Sequence, residues 1–233
     1  MPRASDAVND SPNALRRVSF EAGEAGRLSG LVDAPDEPRA AFVLAHGAGA
    51  DMAHPFMASL AAGLAARGIA TLRFNFAFTE RGSRRPDPPR LAHAAVRAAI
   101  DEAARLWLGL PLAAGGKSFG ARMTSQAQAA SPLPGVCRLG FVGFPLHPAG
   151  KPAIERAAHL DAVALPMLFL QGTRDALAEL SLLHGVVERL GARVSLRLFE
   201  DADHAFHVRA RSGSNDAAVL AALLDALAAW TVA

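Results

Sequence analysis

From residue 40 onward, short runs of consecutive apolar residues alternate with longer Ala/Leu-rich segments of amphipathic character. The runs are AAFVLAH (40–46), IATLRFNF (69–76), PLAAGGKS (111–118), RLGFVGF (138–144), PMLFLQG (166–172) and ARVSLRLF (192–199). Between them the pattern predicts helices at 55–67, 91–107, 119–130, 179–190 and 215–230. Regular alternation of strand and helix predicts a parallel sheet with helices on both faces, its strands linked by right-handed crossovers. Upstream, Leu15–Glu21 and Leu28–Val32 predict an opening hairpin turned around Gly23 and Gly26. Helix punctuation agrees, since Pro55 suits a first helical turn while Gly68 and Gly191 stand where C-terminal caps belong. The expectation is one α/β domain over residues 14–233, preceded by a flexible polar start over 1–13.

Two segments lack periodicity, Ala77–Arg90 with its run of Arg and Pro, and Pro145–Asp161. Both follow predicted strands and so belong at the carboxyl ends of the sheet, where open α/β folds bind ligands. They are candidate pocket walls, and neither is long enough to form a separate cap domain.

Composition narrows the function classes. With 51% hydrophobic and 20% charged residues in 233, the chain has ample material for a core and no disorder-like balance. A formal net charge of +2, with lysine only at Lys117 and Lys151, is too small for a nucleic-acid footprint. The single cysteine, Cys137, cannot form an intramolecular disulfide, so nothing in the fold depends on an oxidising compartment and a cytoplasmic location is expected. The N-terminus has no apolar signal-peptide core. The strongest apolar stretch, Ala217–Trp230, is broken by Asp225 and falls short of the roughly 20 residues a bilayer crossing requires.

Candidate chemistry centres on Gly116-Lys117-Ser118-Phe119-Gly120, a G-x-S-x-G pattern between a predicted strand and a predicted helix. On such a nucleophile elbow the serine occupies a strained turn, and a β-carbon on either flanking residue would collide with the neighbouring elements. Its oxygen then stands at a helix N-terminus, where free amides and the macrodipole favour developing negative charge.

A serine hydroxyl needs a base, and the base needs an orienting carboxylate. The expected chain order is Ser, acid, His, each just beyond a strand. Asp175 in QGTRD and His204 in EDADHAFH arrive in that order. Taken alone, Asp175 could equally cap a turn and His204 could be a structural histidine. His207 is an alternative base, and Asp201 and Asp203 adjoin His204, but a residue next to a histidine in sequence rarely points back at its ring. The oxyanion hole would use the amide of Phe119 and one from the HGAGA segment, with Ala48 the first choice and Gly49 the second. His46 is assigned a structural role in that loop. Gly49, Asn75, Arg122 and His147 are candidate substrate-binding residues; Arg122 could equally hold a loop, and the prolines around His147 suit a structural role. Arg73, Glu80, Arg84 and Arg85 stand near the predicted mouth, where the arginines would suit a carboxylate or phosphate unless the loop is simply solvated.

Rival motifs fail on single residues. A P-loop ending in GGKS would need glycine at Pro111, and a dinucleotide fingerprint starting at Gly47 would need glycine at Met52. Histidines occur without H-E-x-x-H or paired cysteines, so neither a metal nor a cofactor is expected.

Taken together, HGAGADMAHPFM, RFNF, GGKSFGAR, GFPLHPAGKP, QGTRD and DADHAFH resemble the α/β-hydrolases, and within them the dienelactone-hydrolase-like group related to eukaryotic testis-expressed and non-specific-lethal-complex subunits. The resemblance runs from about residue 15 to the end. It implies an α/β-hydrolase fold with Ser118, Asp175 and His204 as catalytic residues, and the shortness of the two irregular segments adds the expectation of no separate cap. Dienelactone hydrolases proper use a cysteine nucleophile where this chain has Ser118, so their lactone substrate does not carry over. The expected function is a serine hydrolase acting on a small ester, thioester or amide. The alternatives are a hydrolase-fold binding or scaffold protein with little turnover, since some eukaryotic relatives are complex subunits, and a perhydrolase or haloperoxidase-like activity on the same residues.

Overall fold

The computed structural model describes residues 15–233; the segment 1–13, assigned from sequence as a flexible start, lies outside the described residues. Eight strands form one sheet in the order β1-β2-β4-β3-β5-β6-β7-β8. Strands β1 (Arg16–Glu21) and β2 (Arg27–Asp33) make the opening hairpin, and β2 runs antiparallel to β4 (Ile69–Phe74). The remaining strands, β3 (Ala40–Ala45), β5 (Leu112–Lys117), β6 (Val136–Val142), β7 (Met167–Gly172) and β8 (Val194–Phe199), pair in parallel with their neighbours.

The reason the apolar runs show no alternation is visible in β3. Ala41, Val43 and Ala45 face one core, while Ala40, Phe42 and Leu44 face a second on the other side of the sheet. A strand covered on both faces has no solvent side on which to place polar residues. Helices α1 (Pro55–Ala65) and α6 (Asp216–Val232) cover one face through Met57, Leu60, Leu64, Leu223 and Leu227. The other is covered by α3 (Pro89–Leu106), α4 (Phe119–Ala130) and α5 (Leu180–Leu190).

Gly68 adopts the positive φ expected of a residue just past α1. Two pieces of helix fall in the segments that lack periodicity. The single turn α2 (Ala77–Glu80) is fixed from outside, its Glu80 carboxylate accepting from the Ser29 amide of β2 at 2.7 Å. A 3₁₀ stretch over Glu155–Ala162 packs Ala157 and Leu160 inward and lies against α4. Neither is long enough to show a period, which is why the pattern misses them. Among the described residues no separate cap domain covers the carboxyl end of the sheet.

Candidate active site

The turn from β5 to α4 carries Ser118 at φ 53°, ψ −111°, a backbone conformation strained for any residue with a side chain. The residues two before and two after it must be glycine. A β-carbon on Gly116 would stand 2.2 Å from the carbonyl oxygen of Ala45, and one on Gly120 would stand 2.3 Å from the same oxygen. The β3 backbone therefore presses against both sides of the elbow.

Ser118, Asp175 and His204 come from loops after β5, β7 and β8 and meet in one hydrogen-bonded chain. The Ser118 hydroxyl lies 2.9 Å from His204 Nε2, and His204 Nδ1 lies 2.7 Å from Asp175 Oδ2. The carboxylate accepts a hydrogen bond from the N–H at Nδ1, which keeps its proton, so Nε2 is left free to accept from the hydroxyl. Asp175 is fully enclosed and fixed by two further donors. Its Oδ2 accepts from Gln171 Nε2 at 2.5 Å and its Oδ1 from the Leu177 amide at 2.8 Å. Gln171 in turn accepts from the Phe144 amide at 2.9 Å, tying β7 to the end of β6.

His207 turns elsewhere, to Asp216 Oδ2 at 2.8 Å on the exposed first turn of α6, and this pairing raises its pKa. Asp203 is also occupied locally, capping the amides of Ala205 and His207 and so shaping the turn that projects His204.

The loop after β3 lies against the serine. A β-carbon on Gly47 would be 3.8 Å from Ser118 Cβ, and Ala48 and Gly49 line the same cavity as Ser118 and His204. Phe119 is the first helical residue of α4, so its N–H has no partner within the helix. His46 holds the base of this loop. Its Nδ1 donates to the Gly47 carbonyl at 2.7 Å and its Nε2 accepts from the Phe76 amide at 3.2 Å; burial lowers its pKa and keeps the ring neutral.

Two of the candidate substrate contacts, Asn75 and His147, are occupied by the scaffold. Asn75 Oδ1 accepts from the Met52 amide at 2.9 Å, while Arg73, buried and paired with Asp33, donates to the Met52 carbonyl at 2.8 Å. The two side chains thus pin the far end of the loop that holds Ala48. His147 Nε2 accepts from the Glu179 amide at 3.0 Å and its Nδ1 donates to the Pro148 carbonyl. Arg122 lies over the Phe119 ring, 5.9 Å from its centroid, and burial followed by the proximity of Arg156 lowers its pKa.

Two cavities open here. The one at Ser118, of about 380 Å³, has apolar walls from Phe56, Met57, Leu177 and Ala205. The other, of about 720 Å³, is flanked by Asp51, Thr79, Ser83 and Arg84. They share Ala48, Gly49, Ala50 and His54 and so form one divided cleft. His54, Phe56 and Met57 lie inside HGAGADMAHPFM without being singled out there, Leu177 lies outside every such segment, and all four reach the cleft only through the packing of α1 and the loop after β7. Gln171 stands inside a quoted motif, but its role needs the β6–β7 pairing to be seen.

Among the described residues, no helix is long and apolar enough to cross a membrane, and no group of three or more His, Cys, Asp or Glu side chains is arranged to hold a metal ion.

A family model for the α/β-hydrolase domain matches residues 38–232. The fold is similar to that of a dienelactone hydrolase from Anabaena variabilis, with TM-score 0.75 at 20% identity over 94% of this chain and 97% of that one. It is similar to a lidless α/β serine hydrolase from Xanthomonas campestris, with TM-score 0.72 at 21% identity over 94% and 96%. An esterase domain from Rhodothermus marinus matches with TM-score 0.70 at 20% identity over 94% and 98%. With its family model spanning β3 to the end of α6, the chain belongs to the α/β-hydrolase family.

Proposed function

We propose that the protein is a serine hydrolase that cleaves a small ester, thioester or related acyl bond through Ser118, His204 and Asp175. The observation that carries this reading is the unbroken chain of hydrogen bonds from Ser118 Oγ through the imidazole to a carboxylate held by two further donors. A carboxylate so fixed orients the ring and stabilises the imidazolium that forms during the reaction.

In the acylation half, Ser118 Oγ attacks the carbonyl carbon while its proton passes to His204 Nε2. The carbonyl oxygen becomes an oxyanion, held by the amides of Phe119 and Ala48. As the carbon–heteroatom bond breaks, the imidazolium returns the proton to the leaving group, and the acyl group remains on Ser118. Water then attacks the acyl-enzyme, His204 takes its proton, and the acid departs as the serine hydroxyl is restored. The apolar cavity at Ser118 suits a short acyl chain, and the larger cavity with Thr79, Ser83 and Arg84 suits a polar leaving group. The fold likeness to structures named as serine hydrolases and esterases supports the same reading.

The test is intact-mass analysis after reaction with a fluorophosphonate, with Ser118→Ala and heat-denatured protein as controls, followed by turnover of acetyl and butyryl p-nitrophenyl esters. One adduct per chain, lost in both controls, is the expected result. A well-folded protein that takes no adduct, or a Ser118→Ala variant that keeps wild-type ester turnover, removes the proposal.

A further inference from the structure

Lys117 stands between the glycine and serine of the elbow, and its side chain has no part in the steps above. Its ammonium donates to the backbone carbonyl of His204 at 2.6 Å, and it lies 5.5 Å from the centroid of the Phe206 ring. The space it occupies is left open by Gly143, at φ 67°. A β-carbon there would stand 2.8 Å from Lys117 Nζ and 3.4 Å from His204 Cε1. The amine and the imidazole therefore share the same face of one glycine.

The segment that carries His204 needs an external hold. Asp201 and Phe206 flank it at φ 56° and φ 64°, both unfavourable for residues with side chains. Lys117 meets it on both sides, at the His204 carbonyl and at the Phe206 ring.

We infer that Lys117 is a positioning residue that clamps the His204 loop to the nucleophile elbow, so that the imidazole stays in register with the Ser118 hydroxyl. This inference rests on the proposed role of Ser118 and His204. The clamp spans the two chain segments that must stay within 2.9 Å for proton transfer. A charge-assisted hydrogen bond to a carbonyl is roughly twice as strong as a neutral one, so the clamp is firmest while the amine is protonated.

That protonation state is adjustable. Burial lowers the Lys117 pKa to about 8, against the opposing pull of Asp175 after β7 and Asp203 after β8. These two carboxylates and the His204 imidazole are the titratable groups facing it. The residue as a whole keeps some accessible surface, so the burial that matters is that of the ammonium end. As pH rises through about 8 the charge is lost, the hydrogen bond weakens, and the histidine loop loosens.

The experiment measures the rate of fluorophosphonate labelling of Ser118 from pH 6.5 to 10 in wild type, Lys117→Met and Lys117→Arg, with Ser118→Ala as the blank. Wild type should lose rate with a midpoint near pH 8. Lys117→Met should be at least about tenfold slower at pH 7.5 and show no such decline, and Lys117→Arg, charged throughout, should also lack the decline. Wild-type rate in Lys117→Met, or the same alkaline decline in it, overturns the clamp. So does a flat wild-type profile, which needs no variant to fold. A second readout is independent of reactivity: the downfield proton on His204 Nδ1, followed by NMR, should broaden in Lys117→Met and in wild type above pH 8. Its persistence unchanged refutes the clamp even if Ser118 is inert, whereas absence of labelling with a pH-sensitive proton counts against the hydrolase reading alone.

Discussion

Gln171 Nε2 donates to the same oxygen of Asp175 that accepts from His204 Nδ1, while Gln171 Oε1 accepts from the Phe144 amide. One buried side chain thus orients the carboxylate and satisfies the backbone where β6 ends.

Gln171→Leu removes both bonds. The Phe144 amide is left buried without a partner, at a cost of about 1–3 kcal/mol, and Asp175 loses one of its two fixing donors. We expect turnover of a short ester to fall roughly tenfold with little change in KM, because the ground-state cleft is untouched while imidazole orientation suffers. Gln171→Glu places a second carboxylate against Asp175 and should be worse. Steady-state kinetics with both variants checks this, and a KM effect without a kcat effect contradicts it.

Much of this was legible in the sequence. The strand runs and the five long helices depend on local pattern, and the structure places them as expected. The elbow and the order Ser118, Asp175, His204 are local patterns too, and these three side chains lie within hydrogen-bond distance, Ser118 to His204 to Asp175. What escaped depends on tertiary contact. Asn75 follows a strand at the sheet's carboxyl end, where a substrate contact is a reasonable expectation, yet it is spent on the Met52 amide. His147 is spent on the Glu179 amide. A polar residue near a pocket mouth looks the same in sequence whether it faces a ligand or an orphaned backbone group, because both require the same hydrogen-bonding atoms. Lys117 was visible only as the variable position of a motif; its partner is 87 residues away.

The assignment of Asn75 to the scaffold has its own consequence. Asn75→Ala deletes a single bond to a half-buried loop, costing about 1 kcal/mol, or roughly 2–4 °C in Tm for a chain of this size. Because that loop carries Ala48, labelling and turnover should slow together for every substrate, independent of acyl chain. A change confined to KM for one substrate class, with Tm unmoved, would return Asn75 to the list of substrate contacts.

Acid should loosen α4 from the 3₁₀ stretch. His159 Nε2 lies 2.8 Å from Ser125 Oγ of α4, and its pKa is lowered to about 4, mainly by burial, then by the charges of Arg122 and His93. An unfolded histidine takes its proton near pH 6.5, so between about 6.5 and 4 the unfolded chain binds more protons than the folded one. Stability therefore falls as pH drops through that window. His159→Gln can keep a bond to Ser125 without titrating. Its Tm should fall less than wild type's between pH 7 and 4.5, and parallel curves for the two proteins would rule out this source of acid sensitivity.

The strain at Ser118 can be isolated by comparing two variants that both lack the hydroxyl. Alanine must still adopt φ 53°, ψ −111°, whereas glycine enters this region freely. Strain of this kind costs about 1–3 kcal/mol, and glycine returns roughly 0.5–1 kcal/mol of it through the greater freedom of its unfolded state. Ser118→Gly should therefore be more stable than Ser118→Ala by about 1 kcal/mol, or roughly 2–4 °C in Tm, with both proteins unlabelled by fluorophosphonate. Gly120→Ala is the opposite control, since its β-carbon meets the Ala45 carbonyl at 2.3 Å and the turn must open or the protein unfold. Equal melting temperatures for the two Ser118 variants would mean that the elbow relaxes when the side chain no longer reaches His204, which would place the source of the strain in the hydrogen bond rather than in the packing of β3 against the turn.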